Sequence, residues 1–232
     1  MVAASFTLEV LTDEVALAGR AAGWIAARIR ARPELSVLVA TGNTPMPTYA
    51  RLAELASAGE LDASHVTAVQ LDEYLGLEPG DSRSLRAWME KTFVQPLGIT
   101  RVLPLNDPGT FTASLADLGG LDLAILGLGP NGHLGFNEPP SPPDAPTRTL
   151  ALTPESLESN RAYWGGQAVP ERAVTAGMDV ILAARETLLL VSGAHKRDIL
   201  ARALHGPETP DVPASYLRRT RLTVLADRAA AP

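Results

Sequence analysis

A glycine-rich loop over residues 127–139, with the sequence GLGPNGHLGFNEP, holds the residues best suited to chemistry. It contains one histidine, His133, and one glutamate, Glu138. Histidine suits proton transfer because its unperturbed pKa lies close to neutral pH. A nearby carboxylate can orient the imidazole and stabilise its charged form, as the third group of a catalytic triad does. The loop therefore predicts an acid–base centre. The alternatives are a structural histidine or a dinucleotide loop, although the spacing is not G-x-G-x-x-G.

A second candidate is Asp72, which directly follows the apolar run VTAVQL of residues 66–71. A carboxylate at the end of a buried strand points into the mouth of the fold, where it can act as the general base for a carbon acid. The alternative is an Asx turn or a helix cap. A carboxylate and an imidazole at neighbouring strand ends would supply two proton-transfer groups with different pKa values.

The loop TGNTP of residues 41–45 has the features of a phosphate-binding turn. Gly42 permits a tight turn, Thr44 offers a hydroxyl group, and Pro45 presets the first turn of a following helix. Free backbone N–H groups and the positive end of the helix dipole together attract a phosphate. The alternative is an ordinary turn between a strand and a helix.

Lys196 lies at the start of the helix predicted after the apolar run TLLLV of residues 187–191. A lysine near a helix N-terminus is unfavourable for the helix dipole unless an anion is nearby, so a phosphate partner is expected. The alternative is a lysine that extends into solvent. Lys91 and Lys196 are the only lysines among 20 basic residues, which suggests that each has a specific role.

The elements that must position these residues follow from the apolar pattern. Strands are predicted over residues 6–10, 35–40, 66–71, 121–126, 187–191 and 222–226. Helices are predicted over residues 13–31, 45–57, 84–95 and 195–204. The strands are continuously apolar, as in parallel strands covered on both faces. We therefore predict an α/β fold with a doubly wound, mainly parallel, Rossmann-like sheet and helices on both faces. Ligands bind such sheets at the carboxyl ends of the strands, so the loops above should meet in one site.

The composition excludes several classes of function. The absence of cysteine rules out disulfides, thiolate metal sites and a cysteine nucleophile. A net charge of −6 provides no basic field for nucleic acid or acidic lipid. No apolar run reaches the roughly 20 residues of a membrane span, and the N-terminus does not read as a signal peptide. The four histidines lack metal-ligand spacing, so no metal site is predicted. We expect a cytoplasmic protein that acts on a small molecule.

The motifs LDEYLGL at residues 71–77 and LGLGPNGHLGFNEP at residues 126–139 together resemble glucosamine-6-phosphate deaminases. These isomerising enzymes share a superfamily with 6-phosphogluconolactonases. The resemblance covers nearly the whole chain, from the loop at 41–45 to VPAS at 212–215. It implies conversion of glucosamine 6-phosphate and water to fructose 6-phosphate and ammonia without a metal or organic cofactor. It leaves a homo-oligomer open.

The resemblance also implies a domain organisation and roles for individual residues. A single domain would span residues 1–232, with an active-site lid over about 140–170 that is entered through residues 139–147, where five of nine positions are proline. Asp72 would move a proton between C2 and C1 of the opened sugar. His133 would open the ring, with Glu138 and Asn131 in support. The substrate phosphate would be bound by Gly42, Asn43, Thr44, Arg172 and Lys196.

Two positions depart from the family pattern. Many members carry Asp where this chain has Asn131, and an amide cannot hold a charge beside His133. We therefore expect ring opening to rely more on Glu138. The second departure is GMDV at residues 177–180, where the family has Gly-x-Gly-Thr. Both departures leave open a related isomerase or deaminase that acts on another amino-sugar phosphate.

Two further alternatives remain. A 6-phosphogluconolactonase is disfavoured because GFNEP follows the histidine, where lactonases resemble GHTASLFP. A sugar-phosphate sensor would need a DNA-binding segment, and the first predicted strand already begins at residue 6. A sensor also needs only the phosphate cradle, whereas this chain retains Asp72, His133 and Glu138. We rank the sensor below the deaminase, the related amino-sugar-phosphate enzyme and the lactonase.

Overall fold

Two sheets organise the chain. The computed structural model describes residues 6–78, 80–154, 157–158, 161–164 and 167–232. The strands of the larger sheet are β1 Thr7–Leu11, β2 Ser36–Val39, β3 Thr67–Gln70, β5 Arg101–Leu103, β6 Leu123–Gly127, β9 Glu186–Val191 and β10 Leu222–Asp227. The strands of the smaller sheet are β4 Asp72–Tyr74, β7 Arg148–Ala151 and β8 Arg172–Thr175. All seven strands of the larger sheet are parallel, in the order β1-β10-β9-β6-β2-β3-β5.

Helices connect the strands. They are α1 Glu14–Ala31, α2 Met46–Ser57, α3 Leu85–Met89, α4 Pro108–Asp117, α5 Met178–Leu182 and α6 Arg197–His205. The Asp13 carboxylate caps α1 by accepting a hydrogen bond from the backbone N–H of Ala16 at 2.8 Å. The helix expected over 84–95 is α-helical only as far as Met89 and continues as a π-helix over Glu90–Val94. None of the helices in the described part of the chain is long and apolar enough to cross a membrane.

The apolar core lies on both faces of the larger sheet. Successive strand residues point to opposite faces, so Leu38 packs with α4 and α6 while Val37 and Val39 pack with α1 and α2. This two-sided burial explains why the strands are apolar at every position. The predicted doubly wound α/β fold is confirmed. From β2 the sheet extends to β3 and β5, and from β6 it extends to β9 and β10. The loops after β2 and β6 therefore lie at the switch point where such sheets bind ligands.

The smaller sheet was not predicted from the sequence. After β3 a single residue, Leu71, leads into β4, which pairs antiparallel with β8. Asp72 is therefore the first residue of a strand and not a turn residue. The segment expected as a lid over 140–170 contains β7, which pairs antiparallel with β8. Strands of three or four residues that include charged side chains lack the continuous apolar run by which the other strands were recognised.

Candidate active site

A cleft of about 1010 Å³ opens at the carboxyl ends of the parallel strands. This volume is at the upper end of the roughly 300–1,000 Å³ of small-molecule sites. Its walls come from residues 41–45 after β2, from Asp72, from the glycine-rich loop after β6, and from residues 192–196 after β9. Three loops and the first residue of β4, all distant in sequence, thus meet at one place, because parallel strands end at the same edge of the sheet.

Asp72 is buried at the floor of the cleft, with 7% of its surface exposed. Burial raises the pKa of its carboxyl group to about 8, and the neighbouring negative charge of Glu73 acts in the same direction. The hydroxyl of Thr41, 3.4 Å from Oδ1, opposes this shift only weakly. A carboxyl group with a pKa close to neutral pH can both take up and release a proton, as a general acid–base catalyst must.

His133 and Glu138 form a close pair at the wall of the cleft. Nδ1 of the imidazole lies 2.8 Å from Oε1 of Glu138, whose side chain is only 9% exposed. The other carboxylate oxygen, Oε2, accepts a hydrogen bond from Nδ2 of Asn131 at 2.6 Å. Because Nδ1 lies against the carboxylate, Nε2 is the ring atom left to exchange a proton with a ligand. The structure thus brings together the three residues predicted to act at the sugar ring.

A buried network holds the backbone on both sides of Glu138. The carbonyl of Glu138 accepts a hydrogen bond from the hydroxyl of Ser141 at 2.6 Å. Asn137, which is fully buried, donates to two backbone carbonyls and accepts a hydrogen bond from Arg148 at 2.8 Å. Arg148 also donates to the Ser141 hydroxyl at 3.2 Å. The carboxylate beside His133 therefore projects from a backbone that is fixed by neutral and charged hydrogen bonds.

The close approach of Gly129 to His133 explains why this position of the loop is a glycine. A Cβ atom at Gly129 would lie 2.2 Å from Cδ2 of the imidazole, which is far inside contact distance. The φ of Gly129 is not positive, so its backbone conformation is open to alanine. The added methyl group would instead push against the imidazole ring of His133. We expect Gly129→Ala to lower kcat about 10- to 100-fold by displacing the imidazole, because misplacement by about 1 Å costs roughly that factor.

The control for this prediction is Gly23→Ala in α1, outside the residues that line the cleft. A Cβ atom at Gly23 meets no atom of another element within 4 Å, and its φ is not positive. Steady-state rates of the two variants, each measured well below its melting temperature, test the role of the close approach. Equal rates for Gly129→Ala and Gly23→Ala would show that the contact with His133 does not matter.

The candidate phosphate ligands lie at the same edge of the sheet. Gly42, Asn43 and Thr44 line the cleft, and so does Lys196. Burial lowers the pKa of the Lys196 ammonium group, so its charge is costly unless an anion is present. Arg172 is not brought into this group: it lies exposed at the start of β8 and does not line the cleft. A phosphate role for Arg172, which only the resemblance implies, stays a prediction.

The cleft also contains residues from the predicted lid and from the helix after β4. Trp164 lies at the rim, where its ring meets that of Tyr74 edge-on at 5.1 Å and the guanidinium of Arg83 at 4.7 Å. Lys91 also lines the cleft, so both lysines of the chain do so. In the sequence, only the rarity of lysine indicated a specific role for Lys91. Parts of the predicted lid, at residues 155–156, 159–160 and 165–166, lie outside the described residues.

Comparison with known proteins agrees with this geometry. The family model for glucosamine-6-phosphate isomerases and 6-phosphogluconolactonase matches residues 12–226. A glucosamine-6-phosphate deaminase of Rhodopirellula baltica is 38% identical over 238 residues, which cover 97% of this chain and 94% of that protein. One of Cutibacterium acnes is 38% identical over 235 residues, which cover 96% of this chain and 90% of that protein.

Solved structures extend the comparison. A monomeric glucosamine-6-phosphate deaminase is 31% identical and superimposes with a TM-score of 0.91 over 97% of this chain and 98% of that chain. A 6-phosphogluconolactonase of Leishmania guyanensis is 19% identical, with a TM-score of 0.77 over 97% of both chains. The similarity to the lactonase is one of fold alone. The similarity to the deaminases extends to the sequence.

Proposed function

The chain belongs to the family of glucosamine-6-phosphate isomerases and 6-phosphogluconolactonases, and we propose that it is a glucosamine-6-phosphate deaminase. It converts glucosamine 6-phosphate and water to fructose 6-phosphate and ammonia. The observation that carries this proposal is the presence in one cleft of a buried carboxyl group, Asp72, and of an imidazole, His133, at ion-pair distance from the Glu138 carboxylate. The reaction needs these two proton-transfer groups, one at a ring oxygen and one at carbon.

Ring opening is the task of His133. A proton leaves the C1 hydroxyl and a proton arrives at the ring oxygen, so that the C1–O5 bond breaks and the aldehyde forms. Nε2 of His133 carries this proton, and the Glu138 carboxylate 2.8 Å from Nδ1 stabilises the charged imidazolium. Asn131 donates a hydrogen bond to the second oxygen of Glu138 and so restrains the carboxylate beside the imidazole. Ring opening therefore depends on the charge of Glu138.

Proton transfer at carbon is the task of Asp72. Its carboxylate removes the proton from C2 of the open amino sugar while the aldehyde oxygen at C1 takes up a proton, which leaves an enolamine. Asp72 then returns a proton to C1 as the amino nitrogen gives one up, so that a C2 imine forms. Water attacks this imine before ammonia leaves, which gives the C2 ketone. Burial of Asp72 strengthens it as a base because its pKa is raised to about 8. No oxidant or reductant enters the balance.

The phosphate group binds at the loop after β2 and at Lys196. Gly42, Asn43 and Thr44 offer backbone N–H groups and a hydroxyl group, and Lys196 adds a positive charge. Since the protein carries a net charge of −6, local donors of this kind are needed to hold a dianion. Binding the phosphate fixes the far end of the substrate, so that C1 and C2 are held near the two proton-transfer groups.

Residues 140–170 serve as a lid in this proposal, within a single domain. Its described part is anchored by β7 on the smaller sheet, and Trp164 packs against Tyr74 and Arg83 beside the cleft. Arg83 also donates a hydrogen bond to the side chain of Gln167. A cover over the cleft would exclude water from the enolamine. Self-association of the chain stays a prediction.

The proposed activity is tested by product analysis. Purified protein with glucosamine 6-phosphate should release ammonia and fructose 6-phosphate in equal amounts. Hydrolysis of 6-phosphogluconolactone in place of this reaction would establish the lactonase, which needs an activated water and no carbon base. Turnover of a different amino-sugar phosphate would establish the related isomerase. Tight binding of a sugar phosphate without turnover of any of them would establish the sensor.

A further inference from the structure

Asp227 is a buried carboxylate, at the carboxyl end of β10, that the reaction does not use directly. It is 6% exposed and does not line the cleft. Its Oδ2 accepts a hydrogen bond from the hydroxyl of Ser192 at 2.6 Å, and it accepts another from the backbone N–H of Gly193 at 3.1 Å. Its Oδ1 accepts from the N–H of Ala230 at 2.7 Å. Three donors for one buried carboxylate make a strong, directional anchor.

Two of these donors belong to the turn that leads to Lys196. Gly193 has a φ of +95°, a conformation that glycine adopts most readily, and its carbonyl accepts a hydrogen bond from the backbone N–H of Lys196 at 3.0 Å. The turn at Ser192 and Gly193 therefore sets where the short helix Ala194–Lys196 begins.

The residue after Lys196 is tied to the same end of β10. The guanidinium of Arg197 donates to the carbonyl of Ala229 at 3.0 Å, and Ala229 lies in the turn that follows Asp227. The backbone of Lys196 is thus fixed on its N-terminal side by Gly193 and on its C-terminal side by Arg197. In the described part of the chain, Asp227 is the carboxylate that accepts hydrogen bonds from both Ser192 and Gly193, so without it the segment before Lys196 loses this anchor.

We propose that Asp227 is a positioning residue for the phosphate site, which acts by fixing the Ser192–Gly193 turn so that Lys196 meets the phosphate of the substrate. The inference rests on the proposed function, in which Lys196 binds that phosphate. The proton-transfer groups lie on other elements, Asp72 on β4 and His133 in the loop after β6. Loss of the anchor should therefore weaken binding of the phosphate and leave the chemical steps nearly unchanged.

The variant Asp227→Asn keeps the size of the side chain and removes its charge. We expect the KM for glucosamine 6-phosphate to rise about 10-fold or more while kcat changes less than about 3-fold, the pattern of a lost interaction made equally in ground state and transition state. The Kd for fructose 6-phosphate, measured by calorimetry, should rise by a similar factor. Ser192→Ala, which removes one donor to the carboxylate, should show the same pattern to a smaller extent and serves if Asp227→Asn does not fold.

The chain offers a matched control in Asp122, at the opposite end of the sheet. This carboxylate also accepts from a serine hydroxyl and a backbone N–H, both of Ser36, at 3.3 and 2.9 Å. Asp122→Asn should lower the melting temperature and leave KM and Kd unchanged. A rise in KM for Asp122→Asn equal to that for Asp227→Asn would mean that loss of stability alone weakens binding, and the proposal would be wrong.

A double-mutant cycle separates positioning from a merely structural role. With Lys196→Ala in the background, Asp227→Asn should change the Kd for fructose 6-phosphate by less than about 2-fold, because the two residues act through one contact. Additive losses would overturn the proposal. If the wild type binds fructose 6-phosphate but does not deaminate glucosamine 6-phosphate, the proposed function fails while the cycle still tests the role of Asp227.

Discussion

Asp72→Asn should lower kcat for deamination about 1,000-fold, within the roughly 10²–10⁴-fold range attributed to general acid–base catalysis. The amide has nearly the shape of the carboxyl group but cannot remove the proton from C2. Rates of ammonia release from purified wild type and variant measure the effect. Asp62→Asn is a suitable control, since Asp62 is exposed and remote from the residues that line the cleft. If Asp72→Asn retained a tenth of the wild-type activity, Asp72 would not be the base that acts at carbon.

The pH dependence of the wild type follows from the same residue. The base is active as the carboxylate, and burial raises its pKa to about 8. Below this pH the group is protonated, so kcat/KM should fall about tenfold for each pH unit and should level off above pH 8. A profile of kcat/KM from pH 5 to pH 9 tests the expectation. A flat profile across pH 6–8 would contradict a base with this pKa.

The substitution Asp72→Asn should also stabilise the protein at pH 8. Because the pKa of Asp72 is raised from 3.8 in the unfolded reference to about 8 in the folded protein, the folded state binds the extra proton between these values. The free energy of unfolding therefore falls as pH rises from about 4 to about 8. Asn stays neutral and escapes this loss. Asp72→Asn should melt at a higher temperature than the wild type at pH 8, with a smaller difference at pH 5; a lower melting temperature at pH 8 would contradict the account.

Glu138→Gln is the change with the second-largest expected effect. It removes the negative charge 2.8 Å from Nδ1 of His133 and substitutes an amide that can present N–H to the ring. The imidazolium formed during ring opening then lacks its counter-charge, and the ring loses its preferred tautomer. We expect kcat to fall about 100- to 1,000-fold, in keeping with the size of such losses in catalytic triads. Stopped-time assays of fructose 6-phosphate give the rate.

Asn131→Ala provides the comparison for Glu138→Gln. Asn131 contributes one hydrogen bond at 2.6 Å to the carboxylate and carries no charge, so its loss should cost less than about tenfold. The order of the two effects is the decisive result. Normal turnover by Glu138→Gln together with inactive Asn131→Ala would show that the amide, and not the carboxylate, supports ring opening.

The main sheet and its loops could be predicted from the sequence for local reasons. Asp13 marks the start of α1 because its side chain satisfies a free N–H group, and the structure has that contact. The apolar runs around Leu38 and Leu189 identified strands buried on both faces. Once parallel strands are assigned, the loops after them must meet, and this brought Asp72 and His133 to one cleft.

The smaller sheet depends on contacts that local patterns do not encode. The strand β4 has only three residues, two of them acidic, and exists because it pairs with β8. Glu73 is held there by hydrogen bonds from the backbone of Leu85 and Arg86 at the start of α3, at 2.9 Å each. These partners are more than ten residues away, so the pattern around Glu73 does not reveal them.

The positions of Arg83 and Arg172 have a similar cause, which local sequence patterns do not reveal. Arg83 lines the cleft and packs against Trp164, a residue in a different segment of the chain. Arg172 was assigned to the phosphate only by resemblance, and its place at the exposed start of β8 depends on pairing with β7. In both cases the decisive information is the packing of the smaller sheet and the segment that covers it.

The most direct test of the account follows the hydrogen at C2. Glucosamine 6-phosphate labelled with deuterium at C2 is converted by the wild type, and the product and solvent are examined by NMR. The account predicts that every ammonia released is accompanied by loss of the label from C2, with deuterium at C1 of fructose 6-phosphate or in water, and that Asp72→Asn leaves the label on C2 of unreacted substrate. Fructose 6-phosphate carries no hydrogen at C2. Ammonia release with deuterium still on C2 of an aldose 6-phosphate would therefore contradict the account, because nitrogen would then leave without proton transfer at carbon.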